Sequence, residues 1–399
     1  MKEGWEYKKI DDISTIVGRI GFRGYTKNDL VSKPELGAIT LSPSNIINGE
    51  LSFEKCSYIS LKKYEESPEI MLAEGDVVLV KTASIGKCSI VRSLPHKATL
   101  NPQFVVFKNI KIDNEYFNYY IKSPYFQKSL KTIVGGVAIP TLSQKKLGQL
   151  EIYFPTSYDE QRRIVSYLDS SFKLIDEIKN KALKSLTEAK ALFQSALAEA
   201  MEPKEGWEEK TLKEVAKYRR GSFPQPYGKK EWYDGKGSMP FVQVADLQED
   251  NFDLNDITKK RISKKAQEFS VFVEKGTVLV SLQGSIGKVA ITQYDSYVDR
   301  TVAIFFKIDD FLNKYFFAIQ LKLRFEIERV KARGTTIKTI TKEEFSNFSI
   351  NIPPLPTQKQ IVSHLDSLSS KVRAIEEKYQ KMVEECDALK QAMLRDVFE

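Results

Sequence analysis

The chain carries most of its landmark motifs twice, in the same order and about 200 residues apart. Residues 2–6 (KEGWE) recur as residues 204–208, and residues 84–87 (SIGK) recur as residues 285–288. A third motif, Gln-x-x-Ile-Val-x-x-Leu-Asp-Ser, begins at Gln161 and again at Gln358. Solenoid repeats have periods of about 20–50 residues, so this chain is a duplicated module. Two similar but non-identical halves can contact two similar but non-identical targets at a fixed distance.

Composition restricts the class of protein. The 399 residues are 42% hydrophobic, which is ordinary globular composition and ample for two or three domains. The sequence contains no apolar run of about 18 residues, so no membrane span is expected, and the N-terminus lacks a signal-peptide pattern. Cys56, Cys88 and Cys386 form no disulfide framework, so a cytoplasmic location is expected. His96 and His364 lie far apart in sequence, so no metal site is expected.

The positive charge is concentrated in two segments. The chain has a net charge of +8, and residues 1–155 and 204–353 contribute about +5 each. Residues 156–203 and 354–399 are close to neutral, at about −1 each. Two basic lobes joined by neutral connectors suit a polyanion such as DNA. The charge alone is equally consistent with a role in solubility.

Each basic segment has the pattern of an α+β domain. Apolar β-branched runs predict buried strands at residues 77–80 and 278–280, and further strands at residues 104–107 and 302–306. Aromatic-rich helices are predicted next, at residues 114–132 with a break near Ser123-Pro124, and at residues 311–333. A face with Tyr315, Ile319, Leu323, Ile327 and Val330 is predicted to be buried. Closing strands end at Pro155 and Pro353, so the predicted domains are residues 1–155 and 204–353.

The neutral segments, residues 156–203 and 354–399, predict two long helices with heptad seams. The two seams have the same length, which favours an antiparallel coiled-coil pair within the chain over pairing with a separate protein. Such a pair would be a rigid spacer between two domains related by an approximate two-fold axis. The predicted seam residues are Ile164, Leu168, Ile175, Ile178, Leu192, Ile361, Leu365, Leu368, Val372, Ile375, Met382 and Leu389.

Two short motifs imitate catalytic signatures. The Ser-Ile-Gly-Lys motifs resemble part of a phosphate-binding P-loop, but the first glycine and the Ser/Thr after the lysine are missing. They fit strand–turn–strand connections with glycine at positive φ, and the turns would also be able to present Lys87 and Lys288 to DNA phosphate; the two interpretations are compatible. Residues 101–104 (NPQF) resemble the Asn-Pro-Pro-Phe/Tyr loop of amino-methyltransferases without its second proline. Asn101 and Gln103 either contact adenine or stabilise a turn.

Other candidate contacts lie on loops that differ between the halves, whereas the framework motifs agree. Basic and aromatic residues on such loops suit base-edge and phosphate contact, although solvated loops would look similar. The candidate DNA-binding residues are Arg19, Arg23, Tyr25, Lys27, Lys81, Ser84, Lys87, Asn101, Gln103, Gly136, Arg219, Arg220, Tyr227, Lys229, Gln283, Ser285, Lys288, Arg300, Arg333, Thr335, Thr336 and Lys338.

Taken together, these motifs make the whole chain similar to the DNA specificity subunit of a type I restriction–modification system. The resemblance rests on the paired Gly-Trp openings, the paired Ser-Ile-Gly-Lys turns and the closing strands. These strands lead into residues 160–165 (EQRRIV) and 357–362 (TQKQIV). Each motif alone is weak, and the combination in one chain is specific.

The resemblance implies two target recognition domains that each read one half of a split double-stranded DNA sequence. It implies that the helices set the unread gap and dock two methyltransferase subunits, joined by two restriction subunits where the system has a nuclease. S-adenosylmethionine and ATP with Mg²⁺ would then be used by the partner subunits, and this chain would be a non-catalytic subunit. The alternative is a coiled-coil scaffold with two protein-interaction lobes and no DNA binding.

Overall fold

A computed structural model describes residues 3–21, 24–135, 140–249, 251–331 and 340–399, without the side chains of residues 329–331. The chain forms two compact units. The first unit comprises Met1–Ser185 and Lys378–Glu399, and the second comprises Leu186–Glu377. Each unit therefore combines one α+β domain with part of each long helix.

The first unit contains two four-stranded sheets. One is wholly antiparallel, in the order Thr15–Val17, Phe104–Lys108, Val77–Val80, Cys88–Ile90. The other has the order Ala98–Leu100, Gly37–Leu41, Ser57–Ser60, Leu30–Val31, and its first two strands are parallel. Shorter antiparallel pairs join Trp5–Lys9 to Glu151–Pro155, Val134–Gly135 to Thr141–Leu142, and Ile46–Ile47 to Glu50–Leu51.

Alternation along the central strands separates two cores in the first unit. Val77 and Leu79 pack in a cluster that includes Tyr116 of a neighbouring helix. Val78 and Val80 point the other way, into a cluster that includes Leu41 of the second sheet. Because side chains alternate along a strand, one sheet separates a helix layer from a second sheet. The helices of this domain are Ile10–Ile13, Leu61–Glu65, Asn114–Lys122, Pro124–Thr132 and Gln144–Gly148.

The second unit repeats this architecture. Its antiparallel sheet has the order Ala216–Arg220, Val302–Ile308, Val278–Ser281, Val289–Ile291. Its other sheet has the order Lys260–Ile262, Met239–Val242, Ser296–Val298, Val271–Val273, and its parallel pair is the central one. Glu208–Thr211 pairs with Ser349–Ile352, and the helices are Leu212–Val215, Lys264–Gln267, Lys314–Lys331 and Lys342–Ser346. The predicted strands and the predicted break between the helices at Ser123 are confirmed.

The face predicted for the aromatic-rich helix of the second unit is wrong in part. Tyr315 and Ile327 are exposed, whereas Phe316, Phe317 and Leu321 are buried. The helix is covered on one side by the sheet and on another by the long helices, so its buried surface is wider than one stripe. The side chain of Val330 lies outside the described residues.

Two long helices complete the units. The central helix, Tyr158–Ala200, has 43 residues, and the C-terminal helix, Leu355–Phe398, has 44. Within the first unit they run antiparallel, because Lys179 contacts Asp387 while the earlier Asp176 contacts the later Lys390. They are antiparallel within the second unit as well, because Lys190 contacts Glu376 while the later Leu197 packs in a core that includes the earlier Leu365.

Burial is uneven among the twelve predicted seam residues. Leu168, Ile175, Leu365 and Val372 are buried, and Ile164, Ile361, Leu368 and Met382 are half-buried. Four predicted seam residues are exposed, with exposed fractions of 38–63%: Ile178, Leu192, Ile375 and Leu389.

Polar residues at neighbouring positions account for two of the exposed seam residues, Ile375 and Leu389. Glu376 is half-buried in place of Ile375 and pairs with Lys190 at 3.6 Å. Lys390 is half-buried in place of Leu389, and its amine lies 2.6 Å from an Asp176 carboxylate oxygen. The buried face of the C-terminal helix therefore continues at Glu376 and Lys390, one residue later than the heptad pattern predicted. Both residues form ion pairs with the central helix.

Candidate DNA-recognition surfaces

In the first unit, three separated segments meet at the ends of the central strands. The backbone N–H of Lys81 donates to the carbonyl of Gln103 at 2.7 Å, and Leu142 N–H donates to the carbonyl of Lys81 at 2.8 Å. Asn101 N–H donates to the carbonyl of Leu41 at 3.0 Å. These hydrogen bonds bring candidates from residues 81–87 and 101–103 next to the strand Thr141–Leu142.

Lys81 is the best-placed cation of this surface. It is half-buried, and a Cβ atom built on Gly18 would lie 3.3 Å from its amine. Burial lowers the pKa of Lys81, because the charged amine loses water. No ion pair to Lys81 occurs among the residues that the structure describes. An unneutralised amine in this position can pair with a phosphate.

Two candidates in the first unit are buried and hydrogen-bonded within the protein, and their role as direct DNA contacts stays a prediction. Arg19 is 5% exposed, and its guanidinium donates to the carbonyl of Leu100 at 3.1 Å and lies over the Tyr25 ring. Burial lowers the pKa of Arg19. Asn101 is buried, and its Oδ1 accepts from Gln103 N–H at 2.9 Å. Segments distant in sequence cover both side chains, and the sequence pattern alone does not show that burial.

Other candidates of the first unit lie on turns. Ser84 and Lys87 are exposed on the turn between Val77–Val80 and Cys88–Ile90. The predicted positive φ of this turn is confirmed at Gly86, where φ is +93°. Lys27 is exposed in a short 3₁₀ helix, and Tyr25 is half-buried. Arg23 and Gly136 lie outside the described residues.

The second unit places an arginine, a tyrosine and a glutamine together. The Arg300 guanidinium lies 5.5 Å from the Tyr227 ring centroid. The side-chain amide of Gln243 donates to the Tyr227 hydroxyl at 3.3 Å. Gln243 follows the strand Met239–Val242, whose partner strand Ser296–Val298 leads to Arg300. Arginine and glutamine are the side chains that pair bidentately with guanine and adenine.

Gln243 was not among the sequence candidates. Its position becomes visible only when the two halves are aligned on their parallel strand pairs, which places it opposite Ser42 of the first unit. Both residues precede a 3₁₀ helix, Pro43–Asn45 and Val244–Asp246. The surrounding sequences differ, so motif comparison does not detect this match.

The remaining candidates of the second unit are dispersed. Arg219 and Arg220 are exposed on the edge strand Ala216–Arg220, and Lys229 pairs with Glu231 at 3.4 Å. Ser285 is exposed and Gln283 is half-buried. Lys288 is half-buried and its amine donates to the carbonyl of Leu247 at 3.1 Å, and its contact with phosphate stays a prediction. Four predicted residues lie outside the described ranges: Arg333, Thr335, Thr336 and Lys338.

Comparison with known proteins gives the family. Residues 2–188 and 204–385 match the type I restriction modification DNA specificity domain. The chain therefore belongs to this family, with one copy of the domain in each half, and it is a type I specificity subunit with two target recognition domains. No helix in the described part of the chain is long and apolar enough to cross a bilayer.

Relatives of known name and structure agree with this assignment. The chain is 25% identical over 402 residues to the type I restriction enzyme MjaIX specificity subunit of Methanocaldococcus jannaschii, covering 92% of this chain and 87% of that protein. A putative MjaX specificity subunit of the same organism is 24% identical, with coverages of 96% and 90%.

Solved structures show the same fold. One, from work on complex assembly and conformational transition of the type I R-M system, has a TM-score of 0.79 and 22% identity, covering 100% of this chain and 98% of that chain. The HsdS subunit of Thermoanaerobacter tengcongensis has a TM-score of 0.58 and 21% identity, with coverages of 100% and 97%.

Proposed function

We propose that this chain gives a type I restriction–modification complex its sequence specificity, with each α+β domain reading one half of a bipartite DNA target. The main support is a loop that has the same framework in both halves and different side chains. Asn101 and Asp299 each accept from the N–H two residues later, at 2.9 Å and 3.0 Å. Each also donates its own N–H to the end of the parallel strand.

The residues carried by this shared framework differ in chemistry. The first half has Pro102 and Gln103 where the second has Arg300 and Thr301. Sequence is read by contacts with base edges, and each good bidentate contact contributes about 1–3 kcal/mol of discrimination. A common scaffold with different side chains at its tip is suited to reading two different half-sites.

In this proposal the central and C-terminal helices set the gap between the half-sites and dock two methyltransferase subunits. Half-sites one helical turn apart, about 34 Å, present the same DNA face to both domains. Helices of 43 and 44 residues are long enough to bridge that distance. Adenine methylation from S-adenosylmethionine, and ATP- and Mg²⁺-dependent DNA cleavage where restriction subunits take part, belong to the partner chains.

The test is co-expression with a type I methyltransferase subunit, followed by mapping of methylated adenines. We expect one bipartite motif with a constant gap. Shortening both long helices by the same number of whole turns should change the gap and leave the half-site sequences unaltered. Altered half-sites with an unchanged gap would refute the role of the helices in spacing. Failure to retain DNA at moderate salt would favour a scaffold of protein-interaction lobes.

A further inference from the structure

The second unit contains a cavity of about 570 Å³ that borders both long helices and the helix Lys314–Lys331. Its walls include the buried side chains of Leu197, Ile319 and Leu365. Asp366 and Ser369 of the C-terminal helix also line it. The walls of the cavity thus combine apolar side chains with charged ones such as Lys322 and Arg373, and Asp366 is an exposed carboxylate among them.

The first unit fills the corresponding place with two aromatic rings. Tyr119 and Phe172 contact edge to face, with ring centroids 5.6 Å apart. The Tyr119 hydroxyl donates to Asp169 Oδ1 at 2.5 Å. Tyr119 is 7% exposed, and both its burial and its bond to Asp169 raise its pKa. A buried phenol with its hydroxyl on a carboxylate is the arrangement expected of tyrosine, which has an apolar body and a polar tip.

The duplication identifies the matching residues. Aligning the motifs that begin at Gln161 and Gln358 places Asp366 at the position of Asp169, and Ser369 at the position of Phe172.

The helices that follow Asp113 and Asn313 can be aligned in the same way. This alignment places Ile319 at the position of Tyr119. The second unit thus keeps the carboxylate and has no aromatic ring at either matching position, although Phe193 and Phe252 line other parts of the cavity. No hydrogen bond or ion pair to the Asp366 side chain occurs within the described part of the chain.

We propose that this cavity binds a tyrosine side chain of a partner protein, with the phenol ring in the space beside Ile319 and Ser369 and its hydroxyl donating to Asp366. The apolar side chains of the wall lack contacts on the side of the cavity, and a ring packed against them restores those contacts. The Asp366 carboxylate is a charged acceptor, which makes a strong hydrogen bond with a phenol.

The tyrosine site goes beyond DNA recognition and does not depend on it. A partner that lies along the long helices could supply the tyrosine, yet binding of a phenol can be measured on the isolated full-length chain. Neither DNA nor a methyltransferase is needed, so failure of this test and failure of the proposed function are distinguishable.

The test uses p-cresol, which reproduces the tyrosine side chain, and measures its affinity for the full-length chain by calorimetry or ligand-observed NMR. We expect saturable binding that is abolished by Ser369→Phe, which fills the cavity with the ring found in the first unit. Asp366→Asn should weaken binding about tenfold, since a hydrogen bond to a charged group is lost. Toluene, which lacks the hydroxyl, should bind the wild type about as weakly as p-cresol binds Asp366→Asn.

The matched control is Asp169→Asn in the first unit, where Tyr119 already occupies the carboxylate. This variant should leave p-cresol affinity unchanged. Absence of saturable binding, or equal affinity of the wild type and Asp366→Asn, would overturn the proposal. Thermal melts establish whether each variant is folded. If Ser369→Phe does not fold, Asp366→Asn still tests the proposal.

Discussion

The side-chain oxygen of Gln161 accepts a hydrogen bond from the backbone N–H of Asp113 at 2.7 Å, across 48 residues of sequence. The amide nitrogen of the same side chain donates to the carbonyl of Pro155 at 2.7 Å. Gln161 is 1% exposed, so both bonds are shielded from water. One glutamine thus joins the start of the central helix to the closing strand and to the start of the helix Asn114–Lys122. Gln358 makes the equivalent bond to Asn313 N–H at 2.8 Å.

Replacing Gln161 by leucine should destabilise the first unit by about 1–3 kcal/mol, because two buried backbone groups lose their partners. Hydrogen–deuterium exchange should show faster exchange around residues 113–120 and unchanged exchange in the second unit. The matched control is Gln391→Leu on an exposed face of the C-terminal helix. Equal effects of the two substitutions would show that the buried bonds contribute nothing specific.

Two glycines of one turn should respond very differently to alanine. Gly287 has φ of +81°, and a Cβ there would lie 2.5 Å from Phe325 Cβ and Cγ. Gly284 has φ of +73° with nothing within 4 Å of its Cβ position. We expect Gly284→Ala to cost about 1–2 kcal/mol from backbone strain alone. Gly287→Ala should cost about 1–3 kcal/mol more from overpacking, measured by urea denaturation. Equal losses would contradict the close contact with Phe325.

Equivalent positions of the two halves carry opposite charges in the ion pairs between the long helices. Lys179 of the central helix pairs with Asp387 at 2.6 Å, whereas Lys190 of the same helix pairs with Glu376 at 3.6 Å on the partner helix. Aligning the halves places Lys179 at the position of Glu376, so the pair is inverted. The inversion opposes pairing of a helix with a second copy of itself.

A charge reversal tests the contribution of the Lys179–Asp387 pair. Lys179→Asp and Asp387→Lys should each destabilise the first unit by about 0.5–1 kcal/mol, and the double substitution should recover most of the loss. Thermal denaturation at low and high salt measures the effect, which should shrink as salt screens the charges. Additive losses in the double variant would show that the two side chains do not interact.

Substitutions at the two kinds of proposed DNA contact should have distinguishable effects on binding. Lys87→Ala removes an exposed charge and should weaken binding to all sequences, lowering the slope of log affinity against log salt by about 1. Gln243→Ala should instead relax specificity in one half-site by about 1–3 kcal/mol and leave the salt slope unchanged. Lys181→Ala on the central helix is the control. An unchanged half-site preference in Gln243→Ala would remove this residue from the recognition surface.

Cysteine reactivity should differ between two positions of the first unit. Burial raises the pKa of Cys88 to about 11, and it raises the pKa of the half-buried Cys56 less. The thiolate is the reactive form, so at pH 8 about one Cys88 side chain in a thousand is reactive. Mass spectrometry after iodoacetamide treatment of the native protein should therefore find Cys56 alkylated well before Cys88. The reverse order would contradict the burial of Cys88.

The sequence alone was sufficient for the large-scale organisation. Apolar β-branched runs such as Val77–Val80 identified the central strands, because a strand buried on both faces has no polar alternation. Ser123-Pro124 marked the helix break, since proline cannot continue the preceding hydrogen-bond ladder. The duplication and the long amphipathic stretches predicted two α+β domains and two helices. These features depend on the local sequence pattern and can be predicted without knowledge of tertiary contacts.

Only the tertiary structure decided which polar side chains reach the surface and which residues form the helix interface. Arg19 and Asn101 occur in loop sequences that look accessible, and both are buried because distant segments fold over them. The heptad pattern predicted Ile375 in the seam, yet Glu376 lies there because a lysine 186 positions earlier neutralises it. Burial and ion pairing depend on partners far apart in sequence, and these partners are brought together only by the complete fold.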